Sequence, residues 1–472
     1  MKGIIQALKA HWFFMVCLLV PGVLMLYFAR YNEMCEGGAD NIWHYYFTKY
    51  SYTYPDFFLH HWGKPLFILL GGPFAQFGFY GLKVFNILVG LLTTIVCYRL
   101  LGLMNVKFRW TIAPLLLFSP LYFIVLQSAL TEPLFSLLLI SAVYFYFREK
   151  YIASALIISF LMFSRSEGTF LLLYFLFLFV FQRRWKAIPF LFAGFLIYAV
   201  VGWFAGHGFW WFFTENPYKM ESPYGHGGWS DILERYKAIW GVPFLVAMLL
   251  ACVVLCISFF RNKGYLFWKP LSESGKVFYL VFVPAFLFTA FHVYVWRFGL
   301  CGSAGLERVL ACVLPCMAVL TVWAMNKVFM SRFPKGLSFV IVAVFLYLHI
   351  YTPFEVFGYP LGSYGSDRAE LEAARWFKTI APKDYILFYA HPNIVFNLDR
   401  DPFDKDRNRE EFAYDKSCHF DRSRPIYLFW DSMFTESSCG VSIKDVEACG
   451  YTKLKEFSDG DFRLLVYELK AQ

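Results

Sequence analysis

The chain has 472 residues, of which 59% are hydrophobic, 22% aromatic and only 16% charged. Soluble domains run at about 45–50% apolar and about 25% charged, so a mean hydropathy of +0.50 excludes both a water-soluble globular protein and a disordered one. The formal net charge of +9 does not by itself point to nucleic acid, because membrane proteins concentrate Lys and Arg in cytoplasmic loops for topological reasons.

A spanning helix needs about 20 mostly apolar residues. Such runs fall at 12–29, 82–101, 111–127, 130–147, 151–164, 168–182, 187–205, 240–260, 277–296, 305–325 and 336–352, about eleven spans in all. The first starts just after Lys9 and shows no small-residue cleavage site before Arg30, which predicts a retained helix. The run 151–164 is short, and 111–127 contains Pro114 and Pro120. The segment 65–79 is too short and Gly-broken to span, and reads as a helix at the membrane interface or re-entering it.

Basic residues then orient the chain. With the N-terminus cytoplasmic, the inside connections carry Lys2 and Lys9; Arg99, Lys107 and Arg109; Arg148 and Lys150; Arg183, Arg184 and Lys186; Arg261, Lys263, Lys269 and Lys276; and Lys327, Arg332 and Lys335. The outside connections 128–131 and 298–304 hold no Lys or Arg. An N-in, C-out helical bundle follows, with residues 1–352 as its membrane domain. Its exoplasmic elements are a first loop, 30–81 with interfacial helices, and a second loop at 206–239.

Residues 353–472 form a second domain, charged from 361 onward, with short apolar runs at 385–390, 425–430 and 462–469. These runs predict strands, and the amphipathic stretch 367–380 predicts a helix before the first. The fold class is therefore an α-helical polytopic membrane bundle with a small exoplasmic α/β domain. Of the eleven cysteines, Cys252, Cys256, Cys312 and Cys316 sit on apolar helices as small hydrophobes. Cys35, Cys301, Cys418, Cys439 and Cys449 face the oxidising side, where Cys418 has two candidate partners, Cys439 and Cys449.

Charges at span edges are costly and point to function. The first loop supplies Glu36, Asp40, His44, Asp56, His60, His61 and Lys64, with Trp43, Tyr45, Tyr46 and Trp62 among them. Three further exoplasmic turns add Glu132, then Arg165 and Glu167, then Arg297, Glu307 and Arg308. A carboxylate here can act as general base toward a hydroxyl, while Lys and Arg at one depth can hold a lipid phosphate, Arg bidentately. Trp43, Tyr45, Tyr46, Trp62, Trp210 and Trp211 suit a sugar ring or the membrane interface. His391 reads as structural.

At these residues the sequence resembles the GT-C superfamily of integral-membrane glycosyltransferases, in particular its protein O-mannosyltransferase and aminoarabinose-transferase branch. The resemblance is carried by Asp40–Asn41–Ile42–Trp43–His44, where Asn41 replaces the branch's Glu, and by Trp62–Gly63–Lys64–Pro65–Leu66–Phe67, which lacks its second Pro. It continues in Thr131–Glu132–Pro133, in Arg165–Ser166–Glu167–Gly168, and in Glu307–Arg308 before Pro315, with Val309 in place of Tyr. It covers about the first 330 residues and implies Asp40 as catalytic base, with Lys64, Arg308 and Arg165 contacting the donor phosphate. His44, Trp62, His61, Glu132, Glu167 and Arg297 complete the expected substrate site.

The implied chemistry is inverting transfer of a sugar from a polyprenyl-phosphate donor to a hydroxyl of a lipid, glycan or protein acceptor, with no nucleic acid involved. The implied location is a bacterial inner membrane, with the site facing the periplasm. No cofactor is expected. Some superfamily members use a divalent metal, for which Glu36, Asp40 and Asp56 are the hard ligands on offer, but none is expected here. Two competing readings are a transporter or flippase, which would favour internal repeats and mid-membrane polar residues, and a lipid-linked glycan polymerase or ligase, which would favour a large late loop.

Overall fold

The computed structural model describes residues 2–31, 38–218, 220–264, 270–359, 365–410, 418 and 422–472. Cys35, Glu36 and Lys269 lie outside the described residues. The chain divides into two compact units, Met1–Tyr31 with Phe47–Leu361, and Asn32–Tyr46 with Gly362–Gln472.

The first unit is helical. Among the described residues six helices are long and apolar enough to cross a membrane: His11–Tyr31, Gly78–Leu103, Trp185–Phe204, Val242–Arg261, Glu273–Phe298 and Gly336–Phe357. Large apolar side chains such as Leu92, Phe177, Leu250, Ile257 and Tyr347 stand exposed on these and neighbouring helices. A surface of that kind is stable only against hydrocarbon, so the chain is an integral membrane protein.

The expected run 111–127 is a broken helix. Arg109–Leu117 and Pro120–Leu126 meet at 70° and make a seventh span if counted as one. The break follows from Pro120, which forces Ser119 into extended backbone (ψ 125°). Four other expected runs fall on shorter apolar helices, Glu132–Phe147, Tyr151–Ser164, Gly168–Phe181 and Leu314–Phe329. The expected interfacial segments are helical too, at Gly38–Tyr50 and Pro65–Ala75.

Non-helical backbone at membrane depth must have its polar groups satisfied by protein. Buried Asn86 does this for the turn after the broken helix, donating from Nδ2 to the carbonyls of Ser128 (2.7 Å) and Leu130 (2.8 Å). That clamp sets where the next helix begins, at Glu132. The connection 164–168 is equally constrained. A Cβ on Gly168 would lie 2.3 Å from the Leu161 carbonyl carbon, so only glycine lets the chain reverse so tightly there.

The second unit holds a five-stranded sheet of order β2-β1-β3-β5-β4: β1 Ile386–Tyr389, β2 Asn408–Arg409, β3 Ile426–Asp431, β4 Thr452–Asp459 and β5 Phe462–Leu469. β1 runs parallel to β2 and β3, while β5 lies antiparallel to β3 and β4. Three strands and the helix Gly365–Ile380 match the sequence expectation. β4 was not visible there, since most of its residues are exposed and it shows no apolar alternation. Buried His391 is held between Nδ1 and Glu370 Oε1 (3.0 Å), and Asn393 donates to Glu370 Oε2 (2.6 Å). Burial works against a charged imidazole, but Glu370 outweighs it and holds His391 above its ordinary value.

Of the two candidate partners for Cys418, the structure selects Cys449, and Cys439 has no disulfide partner among the described residues. The bridge closes a loop with a sequence separation of 31, which in the chain-entropy picture stabilises by roughly 3.5 kcal/mol. Cys449→Ser should therefore lower the thermal transition of this domain in oxidising buffer and leave the reduced protein's transition unchanged. Equal transitions for wild type and variant under oxidising conditions would disprove the bridge.

Candidate functional site

Lys64 sits at a strained point of the first unit. Its backbone adopts φ 67°, a region that costs a non-glycine residue about 1–3 kcal/mol. Pro65 follows at once and begins the helix Pro65–Ala75. The side chain is 5% exposed. Its Nζ donates to Ser166 Oγ (2.9 Å) and to the Tyr218 hydroxyl (2.8 Å), and lies 4.7 Å from the centre of the Tyr218 ring. Among the described residues no carboxylate pairs with it. A buried ammonium held only by neutral oxygens is an expensive arrangement, and it leaves one N–H free for an anion.

Ser166 joins Lys64 to the turn that carries Arg165 and Glu167. Arg165 Nη1 pairs with Glu132 Oε1 at 2.7 Å, and Arg165 Nη2 pairs with Glu167 Oε1 at 2.8 Å. Thr131 Oγ1 accepts a further bond from Arg165 at 3.3 Å. Glu132 stands in the first turn of its helix, where the helix dipole favours negative charge. Its other oxygen, Oε2, is buried with no hydrogen-bond partner among the described residues. Arg308 lies in the 3-10 helix Glu307–Cys312, is 8% exposed, and brings Nε to 4.0 Å from Glu132 Oε1. His292 Nε2 is 3.3 Å from Glu167 Oε1. Six separate segments, counting the one that carries Tyr218, thus meet in one polar network inside an otherwise apolar bundle.

The charges in the network reinforce each other. Burial opposes the guanidinium of Arg165, but Glu132 and Glu167 outweigh it and hold Arg165 well above its ordinary value. Burial likewise opposes the Glu167 carboxylate, but Arg165 and then His292 hold it well below the usual carboxylate range. Both stay charged at neutral pH. The two loop histidines behave oppositely. Burial, and then the Lys64 charge, push His60 down to about 4 and His61 down to about 3, so both are neutral at pH 7 and leave the positive charge to Lys64, Arg165 and Arg308.

Packing fixes the rest of the loop. His60 Nδ1 accepts from the Gly63 amide (3.0 Å) and stacks on Phe47 at 3.8 Å, closing the turn before Lys64. His61 stacks on Phe212 (4.6 Å) and meets the edge of Tyr218, so segment 209–218 packs over the Lys64 turn. Trp62 lies 5.9 Å from Phe47. Of the expected site residues, Lys64, Glu132, Arg165, Glu167 and Arg308 are therefore brought together, with His61 and Trp62 in the same loop. Arg297 is not in the network; it donates to the Gly227 carbonyl at 3.4 Å.

Asp40 and His44 belong to the second unit. Asp40 occupies the first turn of the helix Gly38–Tyr50 and is half-buried, while His44 is buried. On that helix Trp43 and Tyr46 approach Phe403, and Tyr45 approaches Phe396. Burial, and then Asp399, push the Tyr45 phenol up to about 12. Ser166 entered the sequence reading only as part of the Arg165–Gly168 turn, with no role of its own, and Tyr218 and His292 were not singled out. His292 could have been, as an ionisable residue inside an expected span; Ser166 and Tyr218 carry no such signal.

No family model matches the chain, and no curated protein is similar to it in sequence at a significant level. Similarity lies in the fold. ArnT from Cupriavidus metallidurans bound to undecaprenyl phosphate superposes with a TM-score of 0.60 at 11% identity, covering 98% of each chain. Apo ArnT gives 0.62 at 10% identity, again with 98% of each chain covered. The Archaeoglobus fulgidus oligosaccharyltransferase tethered with an acceptor peptide gives 0.55 at 10% identity, over 97% of this chain and 74% of that one. The chain therefore shares its fold with ArnT and with that oligosaccharyltransferase.

Proposed function

We propose that the protein is a membrane glycosyltransferase that moves a sugar from a polyprenyl-phosphate donor to an acceptor hydroxyl by inverting displacement. The observation that carries this reading is Lys64, a buried ammonium with only neutral partners among the described residues, beside the guanidinium groups of half-buried Arg165 and buried Arg308. Such a group of cations is suited to a phosphate. The likeness to ArnT, whose structure holds undecaprenyl phosphate, supports a lipid-linked donor.

In this reading Lys64 and Arg308 bind the donor phosphate, and Arg165 contributes to the same field while Glu132 and Glu167 orient it. Asp40 is the proposed base, a role resting on the resemblance of Asp40–His44 and not on a distance. It takes the acceptor hydroxyl proton as that oxygen attacks the anomeric carbon. The bond from that carbon to phosphate oxygen breaks, and its electron pair leaves with the polyprenyl phosphate. Because that phosphate is already a stable anion, no general acid is needed, unlike the two-carboxylate chemistry of glycoside hydrolysis. An eleven-span, N-in and C-out arrangement would place all of this on the exoplasmic face, the periplasmic side of a bacterial inner membrane.

The test is sugar transfer from a polyprenyl-phosphate donor by detergent-solubilised protein, where no compartment exists. Transfer in detergent supports the enzyme; activity only in sealed vesicles would indicate a transporter. In that assay Lys64→Ala and Arg308→Ala should each raise donor KM about 10- to 100-fold with kcat less affected, the cost of a lost charge-assisted hydrogen bond. Tyr218→Phe, which removes one bond to Lys64, should raise it about fivefold. Unchanged donor KM in both cation variants would remove the phosphate site.

A further inference from the structure

An elongated cavity of about 1,090 Å³ runs between the helices Val242–Arg261, Leu314–Arg332 and Lys335–Phe357 of the first unit. It is not built from the network around Lys64. Its lining along Lys335–Phe357 extends from Ile341 to Val356, about 22 Å at 1.5 Å per residue, against a hydrocarbon core of about 30 Å. The walls are apolar. Val246, Leu250, Val344 and Leu348 line it and are each more than half exposed, so the groove opens outward on helices that qualify as membrane spans.

Its charged groups are confined to one end. Lys237 enters just before the first helix begins, and Glu355 enters near the end of the last, with Tyr351 beside it. Neither Lys237 nor Glu355 has an ion-pair partner among the described residues. A long apolar trough with a charged mouth has the polarity of a single membrane lipid. The two opposite charges decide which headgroup fits. A purely anionic headgroup satisfies Lys237 but faces Glu355 with like charge, and an uncharged one answers neither. A phosphate joined to a primary ammonium answers both, and the ammonium can donate hydrogen bonds to the carboxylate.

We propose that this groove is a binding site for an aminophospholipid, with the phosphate at Lys237, the ammonium at Glu355 and an acyl chain along the apolar walls. The inference needs only that these helices span a membrane, and does not depend on the glycosyl-transfer reading.

Native mass spectrometry of the full-length protein in detergent tests it, with phosphatidylethanolamine, phosphatidylglycerol of identical chains, and undecaprenyl phosphate as separate probes. Phosphatidylethanolamine should bind about tenfold more tightly than phosphatidylglycerol, and Glu355→Gln should abolish that preference, as expected for one charge-assisted contact. Ala247→Trp, which places an indole in the groove, should remove retention of phosphatidylethanolamine. Glu355→Gln alters only an exposed side chain, so it decides the matter even where the tryptophan variant fails to fold. Phosphatidylglycerol binding as tightly as phosphatidylethanolamine would overturn the proposal, as would an undiminished preference in Glu355→Gln. Tighter binding of undecaprenyl phosphate that Ala247→Trp abolishes would also overturn it, by assigning the groove to an isoprenoid chain.

Discussion

Asp40→Asn should reduce sugar transfer by about 10²- to 10⁴-fold, the range contributed by a positioned general base, while donor KM stays near that of the wild type. The substitution keeps the shape of the side chain and removes its proton affinity, so the loss should fall on kcat. Structural damage should be small. Asp40 is half-buried in the first turn of the helix Gly38–Tyr50, where loss of a carboxylate costs about 0.3–1 kcal/mol of dipole interaction. Membrane insertion, yield and thermal stability should therefore match wild type. Full transfer by Asp40→Asn would refute the assignment of the base, and a parallel loss of stability would show the residue to be structural.

Glu132→Ala should be among the most destabilising substitutions in the membrane unit, by about 3–5 kcal/mol. The reason is the partner left behind. Arg165, whose side chain is 15% exposed, would lose the carboxylate at 2.7 Å and keep Glu167 as its one paired carboxylate, beside the Thr131 hydroxyl. Breaking a buried pair on one side costs more than removing both members, because the stranded charge stays desolvated. The double variant Glu132→Leu with Arg165→Met should thus be more stable than Glu132→Ala alone, although both should lose donor binding. Thermal unfolding of the three proteins in one detergent distinguishes the cases. A double variant no more stable than Glu132→Ala would show that the stranded Arg165 charge is not the source of the loss.

Much of the bundle was legible beforehand because its signals are local. A run such as 187–205 or 240–260 is apolar throughout, and a helix is the structure that satisfies its backbone in lipid. The strands at 386–389, 426–431 and 462–469 likewise follow from short apolar runs. β4 escaped for an equally physical reason. As an edge strand paired only with β5, it presents Lys453, Lys455 and Glu456 to solvent and needs no apolar face. The structure closes the β4–β5 hairpin through Gly460, whose φ of 58° suits glycine.

The sequence by itself determined the residue types at the candidate site and most of their segments. Lys64, Glu132, Arg165, Glu167 and Arg308 stand out because charges at span ends are costly and need a reason. The tertiary structure alone decided their pairing. Arg165 meets Glu132 across 33 positions of chain because Asn86 clamps one turn and Gly168 tightens the other. It also supplied the neutral partners of Lys64, since Ser166 and Tyr218 matter through reach and orientation, which composition does not record. Net charge belongs to the chain, and its distribution yields only an expected topology. The choice of partner for a buried charge depends on packing between distant turns, which only the folded protein contains.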